Sequence, residues 1–323
     1  MKQGKYKKNR FFLPILLASL LLLLAACGNN EETTGKGNKD TIKIGYQKGG
    51  TTLLLKDKKE LENELKEKGY KVEWSEFTHA TAILEALNAG SIDFANAGDA
   101  PAIMALSKGM DFRYIASEPS APDTQGILVH SDSGIESVKD LKGKRVAYNQ
   151  ASIAQYLLTK ALEKDGLSID EVESVYLAPP DASIAFNQGD VDAWVIWDPY
   201  LTVAEQAGNK ILTTSEGITT YRSFYYSTKE MTDEYPDVVK AYVDHLNKLG
   251  KSINEDPTEA AALLEANTKV DADIWASSLE RKSSDPQYLD EAAIEDINNQ
   301  MKDLEEIGLI SKTVKIEDYV WQP

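Results

Sequence analysis

The chain has 323 residues, 42% hydrophobic and 27% charged, which is ordinary globular composition and room for one large domain or two medium ones. Its formal net charge is −17, and such acidity argues against nucleic acid and against adsorption to anionic lipid headgroups. The lone cysteine, Cys27, has no partner for an internal disulfide.

The first elements belong to export rather than to a fold. Lys2, Lys5, Lys7, Lys8 and Arg10 precede an uncharged run from Phe11 to Ala26. As a helix that run rises about 24 Å, short of the ~30 Å hydrocarbon core, so it reads as a secretory signal rather than a span. It ends in Leu24, Ala25, Ala26, Cys27 and Gly28, a bacterial lipobox pattern. Residues 1–26 are therefore expected to be a lipoprotein signal peptide, with Cys27 acylated as the mature N-terminus. Residues 27–40, polar and rich in Asn, Glu, Thr, Gly and Lys, suit a flexible tether. The expected location is the extracytoplasmic face of the cell membrane, held by lipid.

Strands and helices then alternate. Residues 41–46 alternate as a strand, and 51–68 carry helical periodicity closed by Gly69. Strands follow at 72–77, 92–95 and 113–117, with helices at 81–88 and from Asp99 to about Gly109 between them. Pro119, Pro122 and Asp123 interrupt the pattern. A second unit has strands at 126–129, 145–148, 172–177 and 191–196, and helices at 138–141, 152–164, 181–188 and 199–206. A strand at 223–227 leads into helices at 232–254, 257–267, 271–282 and 289–307. No internal repeat is visible. The plan predicts an α/β protein of two lobes, with mostly parallel sheets and helices on both faces. Lobe 1 is expected at 41–125 plus 228–323, including a helical C-terminal third, and lobe 2 at 126–227. A ligand site belongs in the crevice facing the strands' carboxyl ends.

Three helix starts follow strands at that end: Gly49 to Thr52, Gly98 to Pro101, and Asn149 to Ser152, where Ser152 and Gln155 fit a capping box. Free N–H groups and positive dipole ends there favour an anion. Each start can equally be a structural cap, and Asp99 reads better as a cap than as an anion ligand. Trp194 and Trp197 lie three apart on a strand, so they face opposite sides. Trp197, at the carboxyl end, should face the crevice, while Asp198 and Pro199 read as a helix cap, with Asp198 also a candidate contact for a ligand that carries an amine. Arg222 and Arg281 are candidate counter-charges for an oxyanion, and Tyr225 a candidate wall. His79, His130 and His245 fall in no catalytic or zinc pattern. No cofactor, metal or enzymatic activity is expected.

The strings GYQK (45–48), LEALNAGSID (84–93), GD (98–99), DAWVIWDP (192–199), SFY (223–225) and VWQP (320–323) resemble, in order and spacing, the aliphatic-sulfonate-binding proteins of ABC importers. The resemblance runs from about residue 41 to the end. It implies a type II periplasmic-binding-protein fold that closes over a small anionic solute such as an alkanesulfonate and delivers it to a membrane permease; such closure suits a monomer. On that reading Gln47, Thr51, Thr52, Gly98, Asp99 and Ser152 contact the sulfonate head, and Trp197 and Tyr225 line the tail. One segment departs: where the family typically reads Gly-Ser-Ser-x-His, this chain has Ala151, Ser152, Ile153, Ala154 and Gln155. Fewer donors there, with Ala97 where Thr is common, point to a larger or less polar ligand. The alternatives left open are taurine, nitrate, a sulfate ester or a pyrimidine precursor, and, from other classes, a pyrimidine-precursor enzyme or a sensor domain.

Overall fold

The computed structural model describes residues 39–323. The expected signal segment, Cys27 and the expected tether up to residue 38 lie outside the described residues. Lys39, expected within the tether, already belongs to the folded body. Its ammonium lies 2.8 Å from Asp93 and 3.1 Å from Glu230, and its N–H donates to Tyr235.

The chain first forms β1 (Thr41–Gln47), α1 (Thr51–Lys58), α2 (Glu60–Glu67), β2 (Lys71–Phe77), α3 (Ala80–Asn88), β3 (Phe94–Gly98), α4 (Asp99–Ser107) and β4 (Arg113–Ser117). It crosses through residues 118–124 to β5 (Gln125–Val129), β6 (Arg145–Tyr148), α5 (Ile153–Lys164), β7 (Glu173–Tyr176), α6 (Pro179–Gln188), β8 (Ala193–Trp197), α7 (Tyr200–Gln206) and β9 (Lys210–Thr214). It returns through 215–222 to β10 (Ser223–Ser227), then α8 (Lys229–Glu234), α9 (Pro236–Glu255), α10 (Thr258–Thr268), α11 (Ala272–Glu280) and α12 (Glu291–Glu306).

Two five-stranded sheets result, ordered β2-β1-β3-β10-β4 and β7-β6-β8-β5-β9. In each, one strand runs against the rest: β10 is antiparallel to β3 and β4, and β5 to β8 and β9. These are the strands the chain enters on crossing. Ser223–Ser227, expected with lobe 2, therefore belongs to the first sheet, because its ladder partners are Gly98 to Phe94 on one side and Ser117 to Arg113 on the other.

Three further differences from the expected elements have physical reasons. The single helix expected over 51–68 breaks at Lys59, whose left-handed φ of 56° lets Leu53–Leu55 and Leu61 with Leu65 reach one core. The helix expected at 232–254 breaks before Pro236, which has no N–H to continue a helix but opens one well. Strand β9 gave no alternation to read, since all five of its residues are half-buried.

Apolar residues fill both faces of each sheet. In β10 the side chains alternate: Tyr225 joins the cluster under α1, α2 and α9 to α11, while Phe224 and Tyr226 join the one under α3, α4 and α12. In β8 Val195 faces α5, while Trp194 and Ile196 face α6 and α7. The closing string seals the outer edge of the first sheet: Val320 bridges Tyr114, Trp321 N–H donates to the Tyr114 carbonyl, and Trp321 packs edge-on against Tyr288.

Candidate functional site

Strand β1 ends at Gln47, β3 at Gly98, β6 at Tyr148 and β8 at Trp197, and the residues at or just after those ends line one cavity of about 130 Å³ between the two sheets. Gln47, Thr51, Gly98, Ser152, Trp197, Asp198 and Tyr225 all contribute to its wall. Gln47 is held there by donating to the Asn96 carbonyl at 3.2 Å.

The helix starts around the cavity differ in what occupies their N–H groups. At α1 the cap is Gly50, which has no side chain to offer, and the first turn holds no acid. The first N–H groups of that helix have no intrahelical partner and are left for a guest. At α5 the Ser152 hydroxyl accepts from Ala154 N–H at 3.1 Å, and Gln155 Oε1 accepts from Ala151 N–H at 2.7 Å. Ser152 also accepts from Gln155 N–H at 3.5 Å, the expected half of the capping box, while the Gln155 side chain takes Ala151 N–H instead of Ser152 N–H, and both spend donors on the protein itself. Ala151 sits at φ 51°, a left-handed conformation that glycine adopts without cost. Gly49 is bound twice over: its φ is 97°, and a Cβ there would come within 2.5 Å of the Trp275 ring. At Gly98 a Cβ would meet Ile153 of the other lobe at 2.9 Å.

Four expected site residues stand outside the wall. Thr52 is 1% exposed and faces the interior. Asp99 is buried, its carboxylate accepting from Arg222 N–H at 2.9 Å and Ala100 N–H at 2.8 Å. Burial pushes that carboxyl up to about 6, against the pull of its backbone donors. The Arg222 guanidinium turns away toward α12, pairing with Asp296 at 2.6 Å and donating to the Glu118 carbonyl. Arg281 pairs with Glu205 and lies 3.9 Å from Asp198, joining α11 to the second lobe instead of meeting a guest. Asp198 caps α7, its Oδ1 accepting from the Thr202 N–H and hydroxyl; burial raises its carboxyl, opposed by Thr202 and Arg281.

The structure adds residues that sequence reasoning missed. Trp275, Ser278, Leu279 and Lys282 bring α11 and the turn after it into the wall. Glu118 lies at the floor, 2% exposed, with Tyr225 Oη donating to Oε1 at 2.6 Å, Thr51 Oγ1 to the same oxygen at 3.0 Å, and the Lys282 ammonium to Oε2 at 2.8 Å. Burial, with the facing carboxylate, pushes the Tyr225 hydroxyl well above its ordinary range. Glu118 had a signal, since it follows β4 at a carboxyl end. Lys282 had none, because only tertiary packing brings α11 to the crevice.

The histidines serve structure. His79 caps α3, His130 sits between Asn209 and the Phe186 carbonyl, and His245 pairs with Glu64. Among the described residues no group of acids, His and Cys could hold a metal ion.

Two sheets of matching order, joined by two crossings and enclosing a cavity of mixed polar and apolar lining at their carboxyl ends, define a two-lobed binding protein of the periplasmic-binding-protein class. The chain belongs to the NMT1/THI5-like family of substrate-binding proteins, whose model matches residues 65–260. It is 34% identical over 289 residues, 88% of this chain and 89% of the relative, to an Escherichia coli (strain K12) protein named for binding aliphatic sulfonates. The alkanesulfonate-binding protein SsuA from Xanthomonas axonopodis pv. citri, solved bound to MOPS, is 31% identical with a TM-score of 0.82, covering 89% of this chain and 100% of that one. The desulfurization enzyme DSZB, at 16% identity and a TM-score of 0.64 over 87% of this chain and 96% of its own, shares the fold alone.

Proposed function

We propose that this chain is the extracytoplasmic binding lipoprotein of an ABC importer, capturing an aliphatic sulfonate between its lobes and delivering it to a membrane permease. The observation that carries this reading is the cavity itself. The uncapped start of α1 enters it from one side, and Trp197, Trp275 and Leu279 give it an apolar wall. Donors for a small fixed anion beside apolar surface suit an alkyl chain with a sulfonate head. Relatives named for sulfonates, matching along nearly the whole chain, support the same choice. A sulfonate stays ionised at physiological pH, so recognition needs no titrating partner. Lobe closure supplies selectivity, because contacts from the second lobe form only when the cleft shuts.

A second reading, a different small anion, is favoured by the start of α5. Ile153 lines the cavity, and the nearby donors are taken by Ser152 and Gln155.

Calorimetric titration of the ligand-free chain with alkanesulfonates, taurine, sulfate esters, nitrate and pyrimidines separates the two. Saturable one-to-one binding of an alkanesulfonate is expected. Binding of another anion with silence for sulfonates would move the specificity and keep the capture role. Silence across the panel would sink both. The lipid anchor is tested separately: Cys27→Ala is expected to release the protein from membranes, and unchanged retention would contradict acylation.

A further inference from the structure

We infer that Lys282, rather than the exposed Lys48 that also lines the cavity, is the positive charge that recognises the ligand's anionic head, and that Glu118 holds this ammonium in place without itself contacting ligand. The inference rests on the anion-capture reading above and adds a recognition residue to that site.

Donors and acceptors around this pair do not match in number. Glu118 has two carboxylate oxygens, and both are occupied by donors of the fold. Oε1 accepts from Tyr225 and Thr51, and Oε2 accepts from Lys282. An ammonium has three N–H donors. Among the described residues the side chain that Lys282 Nζ meets is Glu118, at 2.8 Å. The pair is neutral in formal charge but uneven in hydrogen bonding: its acceptors are largely used and most of its donors are not. What the wall offers a guest at this point is therefore N–H, carried on a cation.

Position makes those donors count. Lys282 lines the cavity, and its side chain is only 17% exposed. A charge so shielded is screened by salt far less than one on the surface. The preceding residue, Arg281, is pinned to the second lobe through Glu205 and Asp198, and Lys282 N–H donates to the Leu279 carbonyl. The backbone that presents the ammonium is thereby fixed from both sides. Thr51, at the open start of α1, shares Glu118 with Lys282, so the free N–H groups of that helix and the spare donors of the ammonium face the same corner. The class of ligand this corner takes is a permanently ionised oxyanion, and it discriminates against the uncharged isostere of the same shape.

The test uses hexanesulfonate and its neutral counterpart hexanesulfonamide as probes, with wild type, Lys282→Arg, Lys282→Gln and the double variant Lys282→Gln with Glu118→Gln. Lys282→Gln alone strands a buried carboxylate and is expected to destabilise the fold. The double variant removes both charges together and leaves the net charge unchanged. The expected result is that the double variant melts near wild type yet binds hexanesulfonate at least about tenfold more weakly, the scale of a lost charge-assisted hydrogen bond. Lys282→Arg should recover most of the affinity, and the preference for the sulfonate over the sulfonamide should collapse only where the cation is gone. A double variant that binds hexanesulfonate as tightly as wild type would overturn the inference while leaving sulfonate capture standing. Wild type that binds no anion would instead remove the capture reading, and this inference with it.

Discussion

The two lobes share one strand plan and use it differently. Their sheets run β2-β1-β3-β10-β4 and β7-β6-β8-β5-β9, so β1 corresponds to β6 and β3 to β8. The helices that follow correspond as well. Gly49, at φ 97°, precedes the cap of α1 as Ala151, at φ 51°, precedes the cap of α5. Asp99 opens α4 just as Asp198 precedes α7, and burial raises both carboxyls. In the first lobe the glycines leave the α1 start open; in the second, Ser152 and Gln155 close the α5 start upon itself. Topology places helix starts around a cleft, and the side chains at each start decide which of them can still bind. On the proposed anion-capture reading, donors would come chiefly from the first lobe and the turn after α11, with the second lobe supplying a wall.

The largest expected effect separates the two tryptophans of β8. Trp194 is 2% exposed within the second-lobe core, so Trp194→Ala should cost about 3–5 kcal/mol in urea unfolding. Trp197 is half-buried and lines the cavity. Because it also packs against neighbouring clusters, Trp197→Ala should lower stability less than Trp194→Ala. It should weaken ligand binding about tenfold or more, as a central aromatic contact does. Equal binding by Trp197→Ala would take it out of the site.

A middle effect tests Asp99. Its carboxyl rises from an ordinary 3.8 to about 6 on folding, so between those values the folded chain holds a proton the unfolded chain has released. Stability is therefore greatest below the lower value, falls as pH climbs to the upper, and is flat beyond, a span of about 3 kcal/mol at most. Asp99→Asn should lack that fall when unfolding is followed at about pH 4 and about pH 7; an unchanged slope would show that another group is responsible.

The smallest effect is at the α5 start. Ala151→Gly relieves a left-handed alanine and should raise stability by about 0.5–1 kcal/mol after the added freedom of the unfolded chain. If thermal melting instead falls, the positive φ is not costing the second lobe anything.

Much of this molecule was legible in its residues. Alternation marked β1 and β2, short runs between turn signals marked the other strands except β9, and glycine and cap signals gave most helix ends. The rule that sites face the carboxyl ends of strands brought Gln47, Thr51, Gly98, Ser152 and Trp197 to one cavity. The arginines failed as candidates because a guanidinium attracts carboxylates of its own chain, Asp296 for Arg222 and Glu205 for Arg281, and no local pattern reveals such partners. Trp275 and Lys282 escaped for the opposite reason: they lie on a helix far along the chain and in the turn that follows it, whose place over the cleft is decided by packing. The shared plan of the lobes was hidden as well, since β10 and β5 enter their sheets from opposite directions along the sequence.

That last feature bears on the order in which the protein takes shape. Every strand of the second sheet comes from one unbroken stretch, from Gln125 to Thr214. The first sheet stays split, with β3 and β4 unjoined, until β10 arrives roughly a hundred residues later, and so distant a closure is the slower one. In a chain made N-terminus first, the second lobe can complete its ladder while the first waits. Pulsed hydrogen exchange during refolding should accordingly protect the amides of β6 and β8 before those of β3 and β4.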